Sequence, residues 1–260
     1  MKKNRTSILR VAAVGYAALL LICIAVGLTV NHKKPNTEET RKPATVVETV
    51  APAAHMIEGV PVIAQQELNS GCETYACTML LQSMGFDINE ADFADQYLIC
   101  SAIFYDEAGT RYGPDMHSAF AGTVYNGYGI YAPAMAKSMN RFFSSEHSAL
   151  SAKAIEGVSL ETLCKSYIDR DIPVMVWATV NMDEPYEKAS WVVSFVDENA
   201  TAKEGDTVWW LQNEHCLVLI GYDEDEYYFA DSCAGAVSHF EKALCQQRYE
   251  QLDTQAIVVQ

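Results

Sequence analysis

The chain has 260 residues, half of them hydrophobic and 20% charged, with 18 Lys+Arg against 34 Asp+Glu for a net charge of −16. That composition excludes a mostly disordered chain and a collagen-like or disulfide-knot scaffold. It also lacks the basic face that a nucleic-acid partner requires.

The first predicted element is Val11 to Val30, 20 residues without a charge. A helix of that length reaches about 30 Å, the thickness of a bilayer's hydrocarbon core. Lys2, Lys3, Arg5 and Arg10 precede it, while His32, Lys33 and Lys34 follow. The balance favours residues 1–10 as a cytoplasmic basic tail and an extracytoplasmic remainder. The apolar core is longer than that of a cleaved signal peptide, and no small-residue cleavage box follows closely, so an uncleaved signal anchor is expected. Residues 31–55, rich in Thr, Glu, Lys and Pro, read as a linker. A single domain then spans residues 56–260. Residues 1–50 hold eight of the basic and three of the acidic residues, which leaves 10 and 31 for the rest, a net of −21. This excess keeps a domain soluble and disfavours anionic surfaces. It points, in a general way, to basic or neutral substrates.

Within the domain, Gly59 to Ala64 reads as a short strand. Cys72 to Met84 carries apolar residues at helical spacing, with Gly85 to close the helix. Asn89 opens a second helix. Residues 100–131 read as a long ordered loop with short helical turns. Helices follow over Pro133 to Phe143 and over Leu160 to Arg170, the latter capped by Ser159. The period then changes to that of strands: Ile172 to Val180, Trp191 to Val196, Thr207 to Leu211, His215 to Tyr222, Tyr227 to Asp231 and Ala256 to Val259. Asp223-Glu224-Asp225-Glu226 is the turn between two of them, and Phe240 to Leu252 is a last helix. Helices first and an antiparallel sheet afterwards predict an α+β fold.

The chemistry gathers on four positions. Cys72 lies at a helix amino terminus after Gly71, where unpaired N–H groups and the helix dipole favour a thiolate. Cys77, one turn on, is the ordinary buried counterpart. His215 stands at the mouth of an apolar strand and has the chemistry of a general base for a thiol. Asp231 ends the next strand, where a carboxylate orients an imidazole. Register decides the pairing. Partners summing to 448 put Asp231 opposite Leu217, on the face of His215; a sum of 449 instead sets Cys216 across from Cys233. The first register is favoured, with a bulge as the way to reconcile the two. Gln65 or Gln66, seven or six residues before Cys72, offers an amide donor for an oxyanion hole.

The order Gln, Cys, His, Asp resembles the papain-like cysteine peptidases, specifically the C39-like (bacteriocin-leader-peptidase-like) family. Val60-Pro61-Val62 through Gly71-Cys72-Glu73 forms the nucleophile block. Gly113-Pro114-Asp115, Gly127-Tyr128-Gly129-Ile130-Tyr131-Ala132-Pro133 and Ile172-Pro173-Val174-Met175-Val176-Trp177 match recurring spacers. Glu214-His215 through Gly221-Tyr222-Asp223 forms the His block, and Phe229-Ala230-Asp231-Ser232 the third block, with Ser232 where relatives often have Pro. The resemblance covers residues 57 to 260. It implies a papain-like fold and a peptidase with Cys72 as nucleophile, His215 as base and then acid, Asp231 as orienter, and Gln65 or Gln66 in the oxyanion hole. Spacing from Cys72 points to Gln66 and placement after the strand to Gln65. Family members fused to export transporters cut leaders after a Gly-Gly pair. With one apolar segment and no glycine-rich phosphate loop here, that specificity is not carried over.

The expected function is therefore that of a membrane-anchored thiol hydrolase acting on peptides or proteins. The alternatives are an acyltransferase on the same fold and a catalytically silent binding module. No cofactor is implied. The spacing of Cys and His gives no zinc signature. Six cysteines besides Cys72 and Cys23 allow 15 pairings into three disulfides, against which buried free thiols are slightly favoured.

Overall fold

The computed structural model describes residues 53–260, all within one compact unit, Thr49–Gln260. The proposed anchor at 11–30 and most of the linker lie outside the described residues. Among the described residues no helix is long and apolar enough to cross a membrane.

A seven-stranded sheet organises the domain. Strands β7 (Ala152–Glu156), β8 (Val174–Thr179), β11 (Glu214–Tyr222), β12 (Glu226–Asp231), β13 (Ala236–Glu241) and β14 (Gln255–Val259) lie in the order β13-β12-β11-β8-β14-β7, and β1 (His55–Met56) pairs with the far end of β11. All of these pairs are antiparallel. Every residue of β8 and β11 is buried. Their apolar stretches, Val174–Ala178 and Cys216–Ile220, follow from helices covering both faces. On one face Cys216, Val218, Ile220, Met175, Trp177 and Ile257 join the core of helices α1 (Cys72–Ser83), α2 (Glu90–Gln96) and α3 (Ala132–Ser145). On the other, Leu217, Leu219, Val176, Phe229 and Val258 pack with α4 (Leu160–Ser166) and α5 (Lys242–Gln251), through Leu163, Cys245 and Tyr249. The expected α+β class holds, with a second helical layer behind the sheet.

Helix α1 is buried along ten of its twelve residues, so it forms through burial on both sides rather than through one amphipathic stripe. The Asn89 side chain accepts from Asp92 N at 2.8 Å, and the Ser159 hydroxyl accepts from Thr162 N at 3.2 Å. Both expected caps are thus in place.

Several expectations are corrected. Residues 59–64 form no strand. Pro61 has no donor to give, and the flanking bonds go elsewhere: Ile57 N to Ile220 O at 2.8 Å, Ile63 N to Met79 Sδ at 3.3 Å, and Gln65 N to Ser232 O at 2.8 Å. The stretch 100–131 is built of short strands: β2 (Cys100–Ser101), β3 (Phe104–Tyr105), β4 (Arg111–Pro114), β5 (Phe120–Thr123) and β6 (Asn126–Gly127). Strand β4 pairs in parallel with β9 (Tyr186–Phe195), Tyr112 lying opposite Val192, and β9 forms a hairpin with β10 (Thr207–Gln212). A partner that distant leaves no local signal. The last helix starts at Lys242, because residues 236–241 are the edge strand β13.

Between β11 and β12, Val218 faces Ala230 and Leu219 faces Phe229, while nearer the turn Gly221 faces Tyr228. The sum of 448 therefore holds at the His block, and a bulge between Leu219 and Gly221 shifts it by one toward the turn. The seven cysteines among the described residues are free thiols.

Candidate active site

Helix α1 begins at Cys72, with Gly71 as its N-cap. A β-carbon at Gly71 would lie 2.7 Å from Leu68 Cβ, so only glycine lets the chain enter the helix this tightly. The Cys72 N–H belongs to the first turn and has no acceptor within the helix. Cys72 opens onto a cleft of about 260 Å³ that Gln65, Ser70, Tyr128, Trp210, Glu214, His215 and Cys233 also line. Tyr128 comes from the loop after β6, Trp210 from β10 and Cys233 from the turn after β12, so three separate stretches of chain close around the amino end of α1.

His215 is fully buried, and its Nε2 lies 2.8 Å from Asp231 Oδ1. Asp231 is held in turn by Cys233 N at 2.9 Å, Ala234 N at 3.3 Å and Ser238 Oγ at 2.9 Å. Burial works against the charged imidazole, but the bonds to Asp231 and Cys233 outweigh it and raise its pKa to about 10. Burial likewise opposes the Asp231 carboxylate, yet the hydrogen bond and charge of His215 keep its pKa below the usual value. The two form an ion pair, and His215 is among the residues that line the cleft.

Gln65 and Gln66 are now distinguishable. The Gln65 side chain lies in the cleft. Its Nε2 donates to Leu68 O at 2.7 Å, and its Oε1 accepts from Ser232 Oγ at 3.4 Å and from Cys233 Sγ at 3.6 Å. Gln66 is exposed and engages Tyr75 Oη only through its backbone N–H. Of the two candidates, Gln65 lines the cleft and Gln66 is turned outward.

Two features were not anticipated. The Cys72 thiol donates to Glu73 Oε2 at 3.4 Å, while His215 Nδ1 has Cys233 Sγ at 3.7 Å. Cys72 is thus turned toward a buried acidic pair, Glu73 and Glu214. Burial, the charges of Glu73 and Glu214, and Cys216 all push its thiol pKa up, against a backbone N–H of Cys216 that pulls it down. Burial raises the Glu73 pKa to about 7, despite N–H groups of Glu73 and Ile130 that favour its charge. Burial and then Glu73 raise that of Glu214. A β-carbon on Gly129 would sit 2.7 Å from Glu73 Oε1 and 3.2 Å from Glu214 Oε2, so this glycine makes room for the pair. Sequence reasoning passed over both acids. A Glu in a first turn reads as a solvent-facing partner of the helix dipole, and only tertiary packing buries it. Their one signal was adjacency: Glu73 follows Cys72 and Glu214 precedes His215.

Comparison with known proteins settles the family. The model of the Peptidase_C39-like family matches residues 57–257. The chain belongs to that family. The uncharacterized protein YvpB of Bacillus subtilis (strain 168) is 22% identical over 195 residues, covering 74% of this chain and 70% of its own length. A crystal structure from Bacillus anthracis, assigned as a C39-like peptidase, superposes with a TM-score of 0.64 at 25% identity, over 80% of this chain and 97% of its own. The peptidase domain of Streptococcus ComA, a bifunctional ABC transporter involved in quorum sensing, gives a TM-score of 0.43 at 10% identity, over 77% and 98% of the two chains. The expected family assignment thus holds over nearly the whole described domain.

Proposed function

We propose that this protein is a membrane-anchored, extracytoplasmic cysteine peptidase in which Cys72 attacks the scissile carbonyl. The observation that carries the reading is a single cleft with Cys72 at the amino end of α1 and His215 fixed by Asp231 at 2.8 Å. Attack requires the Cys72 thiol to leave Glu73 Oε2 and reach His215 Nδ1. The tetrahedral oxyanion then meets the Cys72 N–H and the amide of Gln65. As Cys72 attacks, its thiol proton passes to an unprotonated Nδ1 of His215, which then delivers it to the leaving amine, and water clears the acyl-enzyme. Asp231 holds the imidazole in place through both steps. The anchoring rests on Val11 to Val30 and its basic flanks.

A second reading has a specific observation behind it: Cys233, not Cys72, touches His215 Nδ1. Cys233 is less suited as nucleophile. Its backbone N–H is already committed to Asp231 Oδ1 at 2.9 Å, so it has no N–H free for an oxyanion. The test is acid-quenched mass spectrometry after mixing the protein with a peptide thioester. An acyl group on Cys72 is expected. An acyl group on Cys233 would move the nucleophile there, and a product joined to an added amine would indicate acyl transfer. No adduct at all would leave a binding module.

A further inference from the structure

Glu73, Glu214 and Cys72 bring one carboxylate oxygen each and the thiol sulfur to within 4.8 Å of one another. Glu73 is satisfied, since Oε1 accepts from Ile130 N at 2.8 Å and Oε2 from the Cys72 thiol. Glu214 is not. It is 8% exposed, and its Oε1 has no hydrogen-bond partner. A buried acceptor left unmade costs about 1–3 kcal/mol, and this one belongs to a residue that lines the cleft. No Lys or Arg is among the residues that line it, and His215, the cation present, is engaged by Asp231 and Cys233. The adjoining wall is aromatic: Tyr128 and Trp210 stand edge to face with ring centroids 5.3 Å apart. Arg111 stands over the Tyr128 ring, 5.8 Å from its centroid, but does not line the cleft. A carboxyl group in want of a donor, beside aromatic rings in a cleft lined by no Lys or Arg, has the makeup of a receptor for a cationic side chain.

We infer that Glu214 recognises a lysine or arginine side chain of the peptide substrate, seated between the carboxyl pair and the Tyr128–Trp210 wall beside Cys72. The inference rests on the cysteine-peptidase reading and adds a substrate class to it. The ammonium or guanidinium group supplies the donor that Glu214 Oε1 lacks. Its charge also offsets the carboxylate charge that otherwise opposes a Cys72 thiolate. A neutral side chain of the same length does neither.

The test uses the full chain in detergent and a positional-scanning set of short peptides carrying Lys, Arg, norleucine, citrulline or Glu at each position in turn. At one position Lys and Arg are expected to exceed norleucine and citrulline by about 10- to 100-fold in kcat/KM, the range of one charge-assisted hydrogen bond. Glu214→Gln is expected to flatten that difference. Glu214→Asp, which keeps the charge, is expected to retain part of it. Hydrolysis without a cation preference at any position, or a preference unchanged in Glu214→Gln, overturns the inference and leaves the peptidase reading standing. Should no peptide be cut, the peptidase reading fails, and alkylation of Cys72 by iodoacetamide in n-butylammonium chloride against sodium chloride of equal ionic strength decides the inference. A saturable change in rate that Glu214→Gln abolishes upholds it. An unchanged rate overturns it.

Discussion

Replacing Asp231 by Asn removes one charge from a buried pair. The Asn carbonyl can still accept the Cys233 N–H that Oδ1 accepts at 2.9 Å, while Ser238 Oγ, which donates to Oδ2 at 2.9 Å, meets an amide NH2 and must turn to accept from it. The magnitude follows from His215. Asp231 and Cys233 together raise its pKa from 6.5 to about 10, which corresponds to about 5 kcal/mol at about 1.4 kcal/mol per pH unit, an upper bound on the share of Asp231. Removing one partner of a buried pair costs about 3–5 kcal/mol, and the two agree in order of magnitude. The pH dependence has a definite sign. His215 has a raised folded pKa, so its share of stability is complete below pH 6.5 and is lost as pH rises through about 10. Asp231 has a depressed folded pKa, so its share is present above its ordinary value of 3.8 and is lost as pH falls through the folded one. The deficit of Asp231→Asn is therefore greatest between about pH 4 and 6.5 and shrinks toward pH 10. Urea unfolding of both proteins at pH 5.5 and at pH 9.5 measures it. A deficit below about 1 kcal/mol at pH 5.5, in the range of an exposed pair, would refute the reasoning. So would a deficit of equal size at both pH values.

Other expectations follow from individual contacts. Gln65→Ala is expected to lower kcat by about 10²- to 10³-fold, as loss of one oxyanion donor does, whereas Gln66→Ala leaves it nearly unchanged; steady-state kinetics of the two variants makes the comparison. Gly129→Ala would push a methyl group against Glu73 Oε1, at 2.7 Å, and is expected to cost about 1–3 kcal/mol, read from the urea midpoint. Glu73 has a folded pKa of about 7 against 4.5, so its contribution is complete below pH 4.5 and is lost as pH rises through about 7. Glu73→Gln is accordingly expected to make thermal stability less dependent on pH between 5 and 8.

Much of the frame could be read from the residues because it depends on local chemistry. The caps at Asn89 and Ser159 are set by nearby side chains, and the structure keeps them. The helix over Cys72–Ser83 was legible from its apolar spacing, although burial on both sides holds it. The His215–Asp231 pairing was legible because a four-residue acidic turn leaves few registers, and the face shared by the two residues chooses among them. What escaped was set at long range. Strand β4 finds its partner some 80 residues later, in parallel. The edge strands β7 and β13 are short and mostly exposed, so burial leaves little signal in their sequence. Residues 59–64 have the composition of a strand, but Pro61 and bonds to Met79 and Ser232 send them along another course. In the site, the four expected residue types were visible from their order in the chain. The acidic pair and the position of Cys233 were not, because burial of a Glu beside a nucleophile and the approach of a turn to an imidazole depend on packing alone.

The central claim is that Cys72 is the nucleophile served by His215. The most direct test is hydrolysis of a peptide library by the wild-type protein, Cys72→Ala and Cys233→Ala at matched concentrations. The account expects Cys72→Ala to fall to the rate of a blank and Cys233→Ala to keep cutting the same bonds. Turnover that survives in Cys72→Ala, or that disappears in Cys233→Ala while Cys72 is intact, would contradict it.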